Sequence, residues 1–201
     1  MTLKKMMLDG YAGFGGQSQA FLDAGWDVLR IDNNPLLADV ERMVIMDLRA
    51  AEPFNISKHG IEYAHMSPPC HQFSLAYNAP RAIAIREGFE IEYDERMDMT
   101  DVLNAKRIID TLQPRYWSLE NVRGAIKYIE PILGPPRLIV GAWVYWGNFP
   151  MFDPSTIKIA RKANQDKRHS PLRANYRAHI PIEVSQAFCR AMIKQTSILQ
   201  F

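Results

Sequence analysis

The chain has 201 residues, 47% of them hydrophobic and 23% charged, with a formal net charge of +2. No apolar run is long enough to cross a bilayer, which excludes a helical membrane protein. Two cysteines, Cys70 and Cys189, exclude a disulfide framework, and a start in which Lys4 and Lys5 precede a short apolar run that meets Asp9 and a glycine turn predicts no signal peptide and a cytoplasmic protein.

In chain order, residues 3–8 read as a strand that ends at D-G-Y-A-G-F-G-G. Q-S-Q-A-F-L-D-A-G then reads as a helix closed by Gly25. W-D-V-L-R-I is a second strand, finished by D-N-N-P, and V-I-M a third that ends at Asp47. Ile61–Met66 is the fourth and delivers the chain to S-P-P-C-H-Q-F-S. Thr100–Leu112 has helical spacing, with Val102, Leu103, Ile108, Ile109 and Leu112 on roughly one side. Residues 116–119 form a fifth strand, L-I-V-G-A-W-V-Y-W-G holds further strand material, and residues 183–194 make a last helix. Strands alternating with helices predict an α/β fold with an open, mostly parallel sheet and helices on both faces. Without an internal repeat or a domain boundary, residues 1–201 read as one domain.

Asp9, Asp32, Asp47, Cys70 and Glu120 all fall, on this reading, just past strand ends. Ligands of open α/β sheets bind there. Glycines at 10, 13, 15 and 16 let the backbone turn tightly and approach a ligand. The turn is neither a phosphate loop nor a strict dinucleotide fingerprint. Asp32 is placed to accept two ribose hydroxyls, and Asp47 with Leu48 to meet the edge of an adenine. Taken singly, each aspartate also reads as a turn or cap residue; taken together they describe an adenosine pocket.

Cys70 follows Pro68 and Pro69, which fix φ and remove two backbone donors. That stiff frame suits a nucleophile held out toward a substrate, although a lone cysteine also reads as a small buried hydrophobe. L-E-N-V-R-G supplies the partner: Glu120 is an acid suited to the polar edge of a pyrimidine, Asn121 a clamp on the proline–cysteine loop, and Arg123 a phosphate contact.

D-G-Y-A-G-F-G-G, P-P-C-H-Q-F-S and E-N-V, in this order, resemble the DNA cytosine-5 methyltransferases, in particular the short phage and prophage type. R-A-H-I-P-I-E-V-S-Q-A-F resembles the last motif of that family. The resemblance implies a Rossmann-like fold and S-adenosylmethionine as cofactor. It further implies a cofactor site of Asp9, Tyr11, Ala12, Gly13, Phe14, Gly15, Gly16, Asp32, Asn33, Asp47, Leu48 and Pro69. Cys70 and Glu120 would be catalytic, acting on a cytosine flipped out of DNA. Ser67, Pro68, Gln72, Ser74 and Asn121 would border the substrate, and the cell would be a bacterial host of the phage or prophage.

The sequence departs from the family in four places, the first being R-A (Arg177, Ala178) where the last motif usually has G-N. His71 stands where a glutamine is usual, with Gln72 displaced by one. The Q-x-R-x-R arginine has no clear counterpart, leaving Arg161, Arg168 or Arg173 to replace it. Only about 60 residues separate Val122 from the last helix, too few for a full target-recognition domain. Short or relaxed sequence specificity is therefore expected, with phosphate contacts from the basic stretch 158–177, Lys167 and Arg173 included. The loop 72–88 is expected to close over the flipped base, with Arg81 and Arg86 on the DNA backbone. The acidic stretch 87–98 reads as a solvated face. An oligomer or helper subunit would supply any missing recognition. Two other readings remain open: a catalytically reduced DNA-binding relative, and a methyltransferase acting on RNA or an exocyclic amine. His65 and Cys189 read as core residues, and no metal is expected.

Overall fold

The computed structural model describes residues 4–50, 60–160 and 169–198. Its elements in chain order begin with β1 (Met6–Gly10), α1 (Gln19–Asp23), β2 (Asp27–Asp32), β3 (Met43–Ile45) and β4 (Ile61–Met66). There follow α2 (Pro80–Glu87), α3 (Glu90–Glu95), α4 (Thr100–Leu112), β5 (Tyr116–Val122) and α5 (Ile126–Leu133). The chain closes with β6 (Leu138–Val140), β7 (Trp143–Asn148), α6 (Arg173–Ala178) and α7 (Ile182–Ile198). One sheet of seven strands runs in the order β3-β2-β1-β4-β5-β7-β6. The first five are parallel, and β7 is antiparallel to both β5 and β6. The order turns outward on both sides of the β1–β4 pair, and the crevice above that point is where an open α/β sheet binds ligands.

Period-two alternation sends each strand's side chains to opposite faces. Leu8, Ile31, Ala64, Met66, Leu119, Val144 and Trp146 share a buried cluster with Val102, Ala105, Ile108 and Ile109 of α4 and Ile129 of α5. Met7, Val28, Tyr63, Tyr116 and Tyr145 go the other way, to Ala20 and Phe21 of α1 and Val184, Phe188, Cys189 and Met192 of α7. Cys189 is thus a core thiol, as expected. The parallel α/β sheet with helices on both faces is the expected architecture, and β4 and α4 have the expected bounds. No helix among the described residues is long and apolar enough to cross a membrane.

Several boundaries are corrected. β5 runs on to Val122, so Glu120 and Asn121 lie within the strand, where Tyr145 and Val144 of β7 pair with them. Asp9 lies inside β1 rather than past its end. The expected loop 72–88 is helical from Pro80, and Gly88 ends that helix with a left-handed φ of 81°. Arg81 is no phosphate ligand: it is buried, donates to the Gly124 carbonyl at 3.1 Å and pairs with Glu90 at 3.3 Å. Arg86 donates to the Tyr77 carbonyl at 2.6 Å and stacks over that ring. Nor is 87–98 only a solvated face, because Glu90 and Asp94 hold Lys127, and Asp94 also accepts from Tyr128.

Candidate active site

The crevice opens where β1 and β4 end side by side, with the Ser67 N–H donating to the Gly10 carbonyl at 3.1 Å. Gly10 has no room for a side chain, since a Cβ would stand 2.4 Å from the Met66 sulfur. This close approach sets the S-P-P-C loop directly beside the glycine turn.

In the loop, the Cys70 carbonyl accepts from the N–H groups of Phe73 and Ser74, both at 3.1 Å, closing a tight turn. Pro68 is buried, and its carbonyl accepts from the Asn121 side chain at 3.1 Å. The expected Asn121 clamp is therefore present. Phe73 is wholly buried against Tyr128. Its carbonyl lies 2.0 Å from where a Cβ on Gly124 would stand, so only glycine fits after E-N-V-R. Sequence reasoning passed over Gly124, although its place at the end of that motif was visible.

Glu120 is 6% exposed and faces the loop, accepting from the Ser67 hydroxyl at 2.5 Å. Burial pushes its carboxyl up to about 7, against the opposing pull of the Ser67 bond. Ser67 was expected to border the substrate; its hydroxyl instead orients Glu120. Burial, and then the Glu120 charge, push the Cys70 thiol up to about 11. The Ser67 bond ties Glu120 to the same loop that carries Cys70. The cation that pulls the thiol down is Arg177 of α6, which sequence reasoning had not placed there.

The glycine turn divides into two parts. Tyr11, Ala12, Gly13 and Phe14 are half-buried and line the crevice side. Tyr11 and Gly13 take left-handed φ values of 56° and 54°. Gly15 and Gly16 are buried against the protein itself: a Cβ on Gly15 would strike the Arg30 guanidinium at 2.3 Å, and one on Gly16 the Ile180 carbonyl at 2.5 Å. Their glycines serve packing, which corrects the expectation that both line a cofactor. Asp9 is corrected likewise, being 1% exposed with its carboxylate turned inward to the Ser18 hydroxyl at 2.5 Å. Arg30 donates to the same hydroxyl at 2.8 Å.

Asp32 ends β2, half-buried, with Oδ2 accepting from Gly13 N at 2.9 Å and Oδ1 from Asn34 N at 3.0 Å. A carboxylate has about four acceptor positions, so about two remain, which suits the paired hydroxyls of a ribose. Asn33 and Asp47 are exposed nearby along the same strand ends, the latter accepting from Arg49 N at 2.9 Å. Leu48 is buried under Gly10, and its carbonyl is held by Asn104 at 2.7 Å. It therefore forms the floor below the turn, a correction to its expected contact with adenine. This donor set fits an adenosine-bearing cofactor.

Other expected substrate residues are more scattered. The Gln72 side chain is spent on Asp98, donating to its carbonyl at 2.5 Å and accepting from its N–H at 3.2 Å. This corrects its assignment to the substrate. The Ser74 hydroxyl accepts from Ala76 N at 3.2 Å. Pro69 is exposed beside Cys70. Arg123 is exposed and donates to the Gly141 carbonyl at 3.0 Å, and Arg173 is exposed at the start of α6. Arg161, Lys167 and Arg168 lie outside the described residues. The last motif does fold back on the glycine turn: the Tyr176 ring lies 4.7 Å from that of Phe14, and the Ser185 hydroxyl donates to the Gln17 carbonyl at 2.6 Å.

No family model matches the chain, and no curated protein matches it. Among solved structures it is similar to the methyltransferase EhMeth of Entamoeba histolytica, at 15% identity over 79% of this chain and 56% of that one, with a TM-score of 0.51. It is also similar to the S. pombe Dnmt2 methyltransferase, at 17% identity, 81% and 58% coverage and a TM-score of 0.49. A third is an E. coli prophage protein described as a DNA modification methyltransferase, at 16% identity, 72% and 46% coverage and a TM-score of 0.46. The chain spans about half the length of these proteins. The strand order with its antiparallel β7, together with the likeness to EhMeth, makes this a Rossmann-like α/β fold, as expected.

Proposed function

We propose that the chain transfers a methyl group from S-adenosylmethionine to C5 of a cytosine in DNA, through a covalent bond between Cys70 and C6. One observation carries this reading: Cys70, Glu120, Ser67 and Asn121 meet at the ends of β4 and β5, beside the glycine turn. Asp32 accepts the ribose hydroxyls of the cofactor, Asn33 and Asp47 meet its adenine, and Pro69 borders its methionine end. Tyr11, Ala12, Gly13 and Phe14 form the wall between. Bound there, the cofactor supplies the methyl group that C5 takes up.

The Cys70 thiolate attacks C6 while Glu120 gives its proton to N3, so no negative charge builds up on the ring. With its carboxyl at about 7, Glu120 still holds that proton near neutrality and loses it as pH rises further. Once C5 has lost its own proton to a base, the sulfur–C6 bond breaks by β-elimination. The N3 proton then returns to Glu120, and both residues regain their starting states. The single domain reads a short or relaxed sequence, with Arg123 and Arg173 on phosphates and the target base out of the stack. The setting is the cytoplasm of a bacterial host.

The test is to incubate the protein with S-adenosylmethionine and mixed-sequence DNA and to locate new methyl groups at base resolution. DNA containing 5-fluorocytosine is expected to trap a covalent adduct that Cys70→Ala abolishes. Methyl groups on exocyclic nitrogens, or an adduct that persists in the alanine variant, would refute the mechanism.

A further inference from the structure

Gln72 stands two residues after Cys70, in the turn that the Cys70 carbonyl closes with the N–H groups of Phe73 and Ser74. Its side chain and its carbonyl are all bonded to one neighbouring segment. Nε2 donates to the Asp98 carbonyl at 2.5 Å, Oε1 accepts from the Asp98 N–H at 3.2 Å, and the Gln72 carbonyl accepts from the Tyr93 hydroxyl at 2.9 Å. An amide bonded in both directions to the main chain of one residue fixes orientation as well as distance. The segment that makes these bonds leads into α4, and that entry is anchored in turn. Asp98 Oδ1 accepts from the Thr100 N–H at 2.8 Å, and Arg49 donates to both carboxylate oxygens of Asp101, each at 2.7 Å. Forked pairs of this kind hold geometry well. The Tyr11 hydroxyl, from the glycine turn, donates to the Asp101 carbonyl at 3.4 Å, and the Arg49 N–H donates to Asp47 at 2.9 Å. The start of α4 is thus joined to the cofactor side of the crevice and, through Gln72, to the nucleophile turn.

We infer that Gln72 is a positioning residue for the Cys70 nucleophile, fastening its turn to the entry of α4 at a set distance from the glycine turn. The inference rests on the reading of Cys70 as nucleophile and adds what holds it in place on the α3–α4 side. Asn121 on Pro68 and Ser67 on Glu120 hold the residues before Cys70 to β5, and Gln72 holds the residues after it. Attack on C6 needs the sulfur within about 3.5 Å and in line, so a turn free to drift by about 1 Å reacts about a hundredfold more slowly. Gln72 acts through the backbone of the turn rather than on the reacting atoms.

Alkylation of the full chain tests the tie without DNA or cofactor. Iodoacetamide labelling at about pH 8, read by peptide mass spectrometry, follows Cys70 with Cys189 of the buried core as internal reference. Gln72→Ala removes both bonds to Asp98 and is expected to speed labelling of Cys70 about tenfold, because the turn opens more often, while Cys189 labels at the parent's rate. Gln72→Met keeps the length without the polar ends and is expected to match alanine. With S-adenosylmethionine and DNA, both variants are expected to lose about tenfold or more in kcat, with KM values within about twofold of the parent's. Labelling of Cys70 that stays at the parent's rate, or that rises together with that of Cys189, would overturn the inference. So would a methionine variant that behaves as the parent, the mark of a packing role. Faster labelling with kcat unmoved, or a raised KM for DNA at unchanged kcat, overturns it as well. If Cys70 alone labels faster in both variants and the parent protein leaves DNA without 5-methylcytosine, the tie stands and the proposed reaction falls.

Discussion

The two faces of the sheet are built on different chemistry. Toward α4 and α5, the central strands present Leu8, Ile31, Ala64, Met66, Leu119, Val144 and Trp146, a dry apolar layer broken only at the strand end by Asn121. Toward α1 and α7, the same strands present Asp9, Arg30, His65, Ser118, Glu120 and Tyr145, all buried. These polar groups are wired together. His65 Nδ1 and the Tyr63 hydroxyl meet the Ser118 hydroxyl at 2.7 and 2.6 Å, and Gln17 joins Tyr63 to Tyr145 at 3.3 and 3.5 Å. His65 Nε2 has no partner, and burial pulls that ring down to about 3, so it stays neutral. The apolar strand side chains of the first face carry no ionisable group, so their burial does not depend on protons. The polar face makes stability and chemistry sensitive to protons, because charge is costly there.

Breaking the apolar face should have the largest effect on stability. Leu119→Ala is expected to cost about 3 kcal/mol by leaving a cavity beneath the wholly buried side chain. Urea unfolding at pH 5 and pH 8 should report the same loss at both, since no titrating group is removed.

Asp9→Asn acts on the other face. Burial pushes the Asp9 carboxyl up to about 7, so between the ordinary carboxylate range and 7 the native state keeps a proton that the unfolded chain has released. Stability conferred by that proton is present at low pH and is lost as pH rises through 7. Unfolding free energies across pH 4 to 8 should show the variant's decline made shallower by about one proton, or about 1.4 kcal/mol per pH unit. His65 acts in the opposite sense over this window and is the same in both proteins. An unchanged slope would assign the proton to another group.

The smallest effect is expected at the site itself. Ser67→Ala removes the bond that lowers the Glu120 carboxyl, so that group should rise and stay protonated to higher pH. The alkaline limb of the methylation profile should move up. With its acid less well held, turnover at the optimum should fall about tenfold, the worth of one charge-assisted hydrogen bond. A fall in rate with no movement of the limb would make Ser67 only a packing residue.

Long apolar-periodic segments were legible in the chain. Ile61–Met66 and Thr100–Leu112 form as read, because burial rewards the same spacing that marks them. α2 and α5 were not read, since α2 has no apolar stripe and α5 carries Pro131 within it. The end of β5 was missed because Glu120 and Asn121 break the apolar pattern while still pairing with β7. Asp9 was misjudged for the converse reason: a carboxylate in a strand looks like a site until Ser18 and Arg30 are seen to meet it from other segments.

The chain's own order of residues specified the alternation of strands and helices and the proline framing of Cys70, because each depends on spacing within a few residues. Which carboxylates open to the crevice and what orients Glu120 depend on groups that lie far apart along the chain. Ser67 and Glu120 are 53 residues apart, and so are Pro68 and Asn121. Burial and Coulomb interaction act through space, so only the folded sheet, with α6 laid across its glycine turn, settles them.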